Sequence, residues 1–242
     1  MDLRDYLGTF AAQLVDELKP ILAVKGVTSN TDLLGRYTEA AIQSLVNRIV
    51  QPMRVCSGAV LDHPVPNTLR QIDLIIWAPL PLPAIFQVEG FGLVPKSSAF
   101  GVIEVKRSNY NGVEDKLESF LADVEARKIV AEPAGPMRDY QFRPGIGIVC
   151  IIEGSPSSRL ATLIEEDKVV AIFERQGETT KVRPRDVIVL VNFLHAVTWR
   201  YRVQSSGPGF PQIGTEAFED PSSMSLASGE TMKEAKPTGG VL

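Results

Sequence analysis

The chain has 242 residues, 44% hydrophobic and 22% charged, which is enough apolar material for one sizeable buried core. Its 25 basic and 29 acidic side chains leave a formal net charge of −4, which excludes a uniformly basic nucleic-acid coat protein but not a local basic groove. Cys56 and Cys150 stand far apart in apolar stretches, which excludes a disulfide framework or a cysteine-rich zinc site and reads as two buried thiols.

At the front, Leu3, Tyr6, Leu7, Phe10, Leu14 and Leu18 recur at three- and four-residue spacing and predict an amphipathic helix ended by Pro20. Asp2 and Asp5 and the lack of a long apolar run argue against a signal peptide, and no later run approaches a membrane span, so a cytoplasmic protein without membrane contact is expected. A second helix is predicted over 31–50, with Leu33, Leu34, Tyr37, Ala41, Leu45, Ile49 and Val50 as its buried stripe and Pro52 beyond it.

After Pro52 the period changes. Strands are predicted over 59–62, 70–77 and, within a Pro-rich passage, 85–88. A further strand over 100–106 turns Val102, Glu104 and Lys106 to one side and Ile103 and Val105 to the other. A helix over 112–130, strands over 145–152 and 169–174, a helix from Pro184 through Ala196 and a closing strand over 198–203 complete the pattern. Strands interleaved with helices predict a three-layer α/β domain.

Residues 1–30 read as a packing helix and linker, and 31–203 as the α/β domain. Residues 204–242 hold 6 Ser, 6 Gly and 4 Pro without apolar periodicity, and read as a disordered tail. Five acids against two lysines give that tail a charge of −3, so most of the chain's acidity lies there.

One cluster carries chemistry. Gln71-Ile72-Asp73-Leu74-Ile75-Ile76 sets a carboxylate inside an apolar strand, and Val102-Ile103-Glu104-Val105-Lys106 sets a carboxylate and a lysine on one face of another. Residues two apart in a strand are same-face neighbours, roughly 6.5–7 Å apart. A buried carboxylate is costly unless it is paired or bound to a metal. If the strands are adjacent, Asp73 and Glu104 offer hard oxygen ligands for Mg²⁺ or Mn²⁺, and the Val105 carbonyl offers another. Lys106 would then orient or deprotonate a water, or stabilise charge on a phosphorane. A plain salt bridge among the three is the competing explanation, but three ionisable groups in two apolar strands are hard to account for as a solvated face.

Asp on one strand, Glu-x-Lys on the next and a preceding helix bearing a Glu resemble the PD-(D/E)XK nuclease superfamily. Leu34-Gly35-Arg36-Tyr37-Thr38-Glu39, Gly58-Ala59-Val60-Leu61-Asp62, Arg70-Gln71-Ile72-Asp73 and Ile103-Glu104-Val105-Lys106-Arg107-Ser108 are similar, more narrowly, to a bacterial family of nuclease-like proteins of unknown function. The resemblance covers about residues 30–110. It implies a restriction-endonuclease-like fold with a central mixed sheet flanked by helices. It also implies Asp73 and Glu104 as metal ligands, Lys106 as catalytic lysine, Glu39 as a helix acid reaching the site directly or through water, and Gln71 as a supporting group behind the ligands. Ile72 stands where the superfamily's proline would be, and a long Pro-rich insertion separates Asp73 from Glu104.

The implied activity is metal-dependent phosphodiester hydrolysis, on DNA rather than RNA, in bacterial defence or DNA processing, with a homodimer as one way to cut both strands. A non-catalytic scaffold retaining the fold is the alternative. His63 reads as a turn residue and His195 as a packed helix residue. The lone Gly-x-Gly stretches at Gly90 and Gly145 read as turns or strand starts.

Overall fold

Residues 3–61, 69–79, 83–88, 90–127 and 147–206 are described by the computed structural model. The predicted apolar front becomes α1 (Leu3–Ala23), which continues through Pro20. Proline in a helix interior forfeits a hydrogen bond at a cost of about 3 kcal/mol. Here Leu14, Val15, Leu18 and Ile21 are all at least 98% buried, on both sides of the proline, and that burial outweighs the loss.

Helix α2 (Thr31–Ile49) starts at Asn30, whose side chain accepts the Asp32 and Leu33 backbone N–H groups. Its buried stripe is Leu34, Thr38, Ile42, Leu45 and Val46. Leu33 and Tyr37, predicted to be inside, are exposed. Thr38 is the reason the stripe was misplaced: a polar residue lies in the core because its hydroxyl donates to the Leu34 carbonyl.

The strands are β1 (Arg54–Leu61), β2 (Ile72–Trp77), β3 (Phe86–Val88), β4 (Phe91–Pro95), β5 (Ala99–Ser108), β6 (Gly147–Gly154), β7 (Val169–Gln176) and β8 (Thr179–Val182). They form one mixed sheet in the order β3-β4-β1-β2-β5-β6-β7-β8. The pairs β1–β4, β5–β6 and β6–β7 are parallel, and the rest antiparallel. Helices α3 (Val113–Arg127), α4 (Ser158–Glu165) and α5 (Pro184–Ser206) complete the chain.

Both sheet faces are covered. Leu14, Leu18, Leu45 and Val46 of α1 and α2 pack with Leu190 and Leu194 of α5 against one face, over Leu74, Ile103 and Val105. Val113, Leu117 and Phe120 of α3 and Leu160 and Ile164 of α4 cover the other, over Ile75, Val102 and Val149. The result is a helix–sheet–helix sandwich with two cores.

Several elements depart from the pattern reading. Strand β1 begins five residues earlier than the predicted start at 59, and β4, β8 and α4 were not foreseen. The closing strand over 198–203 does not exist, because α5 runs through it. Val187, Leu190, Val191, Leu194 and Val197 keep helical spacing, and Tyr201 extends it by meeting Phe100 edge to face at 5.5 Å. The helix also enters the segment read as tail; residues 207–242 lie outside those described, as does His63. His195 is exposed on α5 rather than packed. Both thiols are buried, and burial pushes Cys56 up to about 11 and Cys150 up to about 12.

Gly58 marks a tight spot. It sits at a register shift of β1 against β2 and pairs with Gly92 of β4, with φ +140°. A Cβ there would lie 1.9 Å from the Gly92 carbonyl oxygen. Gly58→Ala is expected to cost about 3 kcal/mol or more by combined strain and overlap. Urea unfolding reads this directly, and a loss under about 1 kcal/mol would contradict so close a strand approach.

Candidate active site

The site is assembled by the antiparallel pairing of β2 with β5. Leu74 lies opposite Ile103 and Ile75 opposite Val102, so one step further out Asp73 comes level with Glu104. At this end the ladder passes from backbone to side chain: the Val105 N–H donates to Asp73 Oδ2 at 2.8 Å. Ile103 and Val105 belong to the core beneath α2 and α5, whereas Val102 belongs to the core beneath α3. Strand alternation therefore sets Glu104 and Lys106 on the α3 side, as their spacing predicted.

Lys106 Nζ donates to Glu104 Oε1 at 2.6 Å and lies 3.6 Å from Asp73 Oδ2 and 3.4 Å from the Val105 carbonyl oxygen. Three oxygens from two strands thus converge on one ammonium. The side chains are only 12% (Glu104), 15% (Asp73) and 20% (Lys106) exposed, so their charges interact with little screening. The second Glu104 oxygen, Oε2, is buried without a hydrogen-bond partner among the described residues. Carboxylate oxygens in such surroundings normally have a partner.

Burial pushes the Glu104 carboxyl above its ordinary range and the Asp73 charge adds to the effect, while Lys106 and Arg70 work against it. Burial alone would lower the Lys106 ammonium, but its bond to Glu104 and the charges of Glu104 and Asp73 prevail and raise it. Glu39, half-buried on α2, is raised by burial first and then by Asp73 and Glu104, with Lys106 and Arg36 opposing. The helix acid therefore lies within electrostatic reach of the trio.

Four of the five sequence-predicted residues come together in this way. Gln71 does not: it is exposed just ahead of β2, and no hydrogen bond joins it to Asp73, Glu104 or Lys106 among the described residues. Two further residues act on the site: Arg70, which heads the Arg70-Gln71-Ile72-Asp73 stretch, and Tyr110, which the motif did not mark. Arg70 acts on Glu104 while anchored to α3, its guanidinium 5.2 Å from the Phe120 ring centroid and its Nη1 donating to the Ser119 carbonyl oxygen at 3.3 Å. Tyr110, just past the end of β5, is felt by the Lys106 ammonium. An aromatic residue four positions past the strand lysine, just beyond Lys106-Arg107-Ser108-Asn109, was the available signal for it.

Among the described residues no three His, Cys, Asp or Glu side chains form a ready metal cage. What exists is a two-carboxylate set with a backbone carbonyl, already gathered around a positive charge and with one carboxylate oxygen unpartnered. Hard oxygens in that arrangement fit Mg²⁺ or Mn²⁺, with water completing the shell.

Among solved structures, the chain resembles NucC of P. aeruginosa ATCC27853 in its cAAA-bound form, with TM-score 0.56 and 13% identity over 91% of this chain and 99% of that one. It is also similar to NucC of E. coli MS115-1, with TM-score 0.56 and 12% identity for the cAAA-bound form and 0.53 and 14% for the apo form. Coverage is 91% and 90% of this chain, respectively, and 98% of each E. coli chain. No family model matches the chain, and no curated protein matches it by sequence. At these identities the likeness is one of fold, and it spans nearly the whole of each neighbour. The three-layer α/β fold of restriction-endonuclease type implied by the Asp and Glu-x-Lys strands is the fold of this chain.

Because Glu39 and Glu104 hold protons more firmly folded than unfolded, the stability tied to their neutral forms is lost as pH rises. In chelator, that loss is expected to set in above the ordinary carboxylate value of 4.5, and Glu104→Gln should make the slope shallower. Urea unfolding at a series of pH values measures it, and an unchanged slope in the variant would refute the assignment of strain to Glu104.

Proposed function

We propose that the chain is a divalent-metal-dependent nuclease that hydrolyses phosphodiester bonds, acting on DNA rather than RNA in bacterial defence or DNA processing. The observation that supports it best is the convergence of Asp73 Oδ2, Glu104 Oε1 and the Val105 carbonyl oxygen on one cationic position, beside the unpartnered Glu104 Oε2. The choice of DNA and the biological setting rest on the motif resemblance.

Asp73 and Glu104 would hold Mg²⁺ or Mn²⁺, with the Val105 carbonyl as a third ligand. When bound, the ion supplies Lewis acidity at the scissile phosphoryl group and an acidified water as nucleophile. The remaining work belongs to the chain. Lys106, released from the acids, is close enough to orient that water or to meet charge developing on the phosphoryl oxygens. Glu39 stands behind the ligands and acts through water, since no three-acid cage forms among the described residues. Arg70, held by α3, offers a guanidinium to a phosphate beside the reacting one.

Purified protein with Mg²⁺ or Mn²⁺ is expected to cleave plasmid or linear DNA, and Asp73→Asn or Glu104→Gln to lower cleavage at least about a hundredfold. A panel of plasmid, linear duplex, single-stranded DNA and RNA left intact would refute the proposal and favour a scaffold that keeps the fold. A second outcome follows from the shared oxygens. Lys106→Met is expected to abolish cleavage yet bind Mn²⁺ at least as tightly as the natural chain, because ammonium and ion compete for one position. Calorimetry decides it, and weaker Mn²⁺ binding by Lys106→Met would show that they do not compete.

A further inference from the structure

β5 does not end at the acids. From Lys106 it continues two residues to Ser108, and Asn109, about 10 Å from Lys106 in extended chain, opens a cleft of about 530 Å³. The cleft is lined by Asn109, Tyr110, Asn111 and Glu114 on one side and Ser155 and Ser157 on the other. It lies at the carboxyl ends of the parallel neighbours β5 and β6, where α/β sheets commonly receive ligands.

Its walls are pinned from within. The Asn109 N–H donates to the Glu153 carbonyl at 2.9 Å, and Asn109 Nδ2 donates to the Ser155 carbonyl at 2.8 Å. Ser157 Oγ donates to Glu114 at 2.8 Å while accepting the Leu160 N–H that starts α4. Two features remain unspent. The Tyr110 ring is 44% exposed, with Lys116 Nζ 5.4 Å from its centroid, and Asn109 Oδ1 is buried without a partner among the described residues. An exposed aromatic ring with a cation over it, next to an unpaired acceptor, is equipment for holding a nucleotide: a ring for the base to stack on once the ammonium swings to the phosphate, and an acceptor for an exocyclic amine.

We propose that this cleft binds the nucleoside next to the scissile phosphate, with its base on Tyr110 and its neighbouring phosphate at Lys116. The inference rests on the nuclease reading, because it takes the strand to continue from the acids into the cleft. Glu114 adds a bias toward bases that carry an amino group, since its carboxylate, with Oε1 accepting from Ser157, keeps acceptor capacity for an exocyclic N–H and repels any phosphate placed over it.

The test is calorimetric titration of the full chain with dAMP and with deoxyribose 5′-phosphate, which lacks the base. dAMP is expected to bind at least tenfold more tightly, and Tyr110→Leu, which keeps apolar bulk without the ring, to erase that preference. Tyr110→Trp is expected to restore it. Equal affinity for the two compounds, or a preference that survives Tyr110→Leu, overturns the assignment. The substrate strand and a free nucleotide are told apart by competition: dAMP should displace a fluorescein-labelled twelve-nucleotide single strand, and simultaneous binding of both would overturn the link to the strand. Base-dependent dAMP binding in a chain that cleaves nothing would refute the nuclease reading alone. Cleavage with no base-dependent binding would refute the cleft alone.

Discussion

One ammonium serving two buried carboxylates is the constraint on which the rest of the arrangement depends. Asp73 and Glu104 are brought level by the pairing of β2 with β5, and both side chains are largely withdrawn from water. Lys106 relieves their repulsion, and the Val105 N–H relieves part of the Asp73 charge. A buried pair of this kind is poor evidence for stability, since well-packed apolar residues would do as well or better. Its retention in two otherwise apolar strands therefore needs a reason beyond folding.

The two cores make such a site affordable. Each face of the sheet is closed by its own helices, so the centres of β2 and β5 are held by Leu74, Ile75, Val102 and Ile103 and do not rely on the charged end. The acids lie where this packing stops, near enough to the interior to feel it and near enough to the surface to be reached. Helices on opposite faces contribute to the same spot: α2 supplies Glu39, while α3 anchors Arg70.

Much of this could be read before any coordinates. Alternation in β5 separates Glu104 and Lys106 from Ile103 and Val105, and the cores divide in the same way. What escaped reading had physical causes. Pro20 has the signature of a helix end, but flanking burial overrides it. The short edge strand β8 is exposed along its length, so no apolar pattern announces it. Tertiary contact with Phe100 keeps the last turns of α5 helical where β-branched and aromatic residues suggested a strand. The cleft beyond β5 was invisible for a different reason: Asn109 and Tyr110 meet Ser155 and Ser157 only through the parallel pairing of β5 with β6.

The net charge of −4 gives a polyanionic substrate no general attraction. Locally the balance is different. Asp73, Glu104 and Glu39 against Lys106 leave two negative charges uncompensated within the cluster, which is the charge a divalent cation carries. Burial raises Glu39 and Glu104, and the neighbouring Asp73 charge adds to it. Arg36 opposes the rise at Glu39, and Arg70 opposes it at Glu104. On the proposed nuclease reading, a polyanion would be repelled by the bare site and accepted once a cation fills it, so that metal loading would condition binding of the substrate as well as the chemistry.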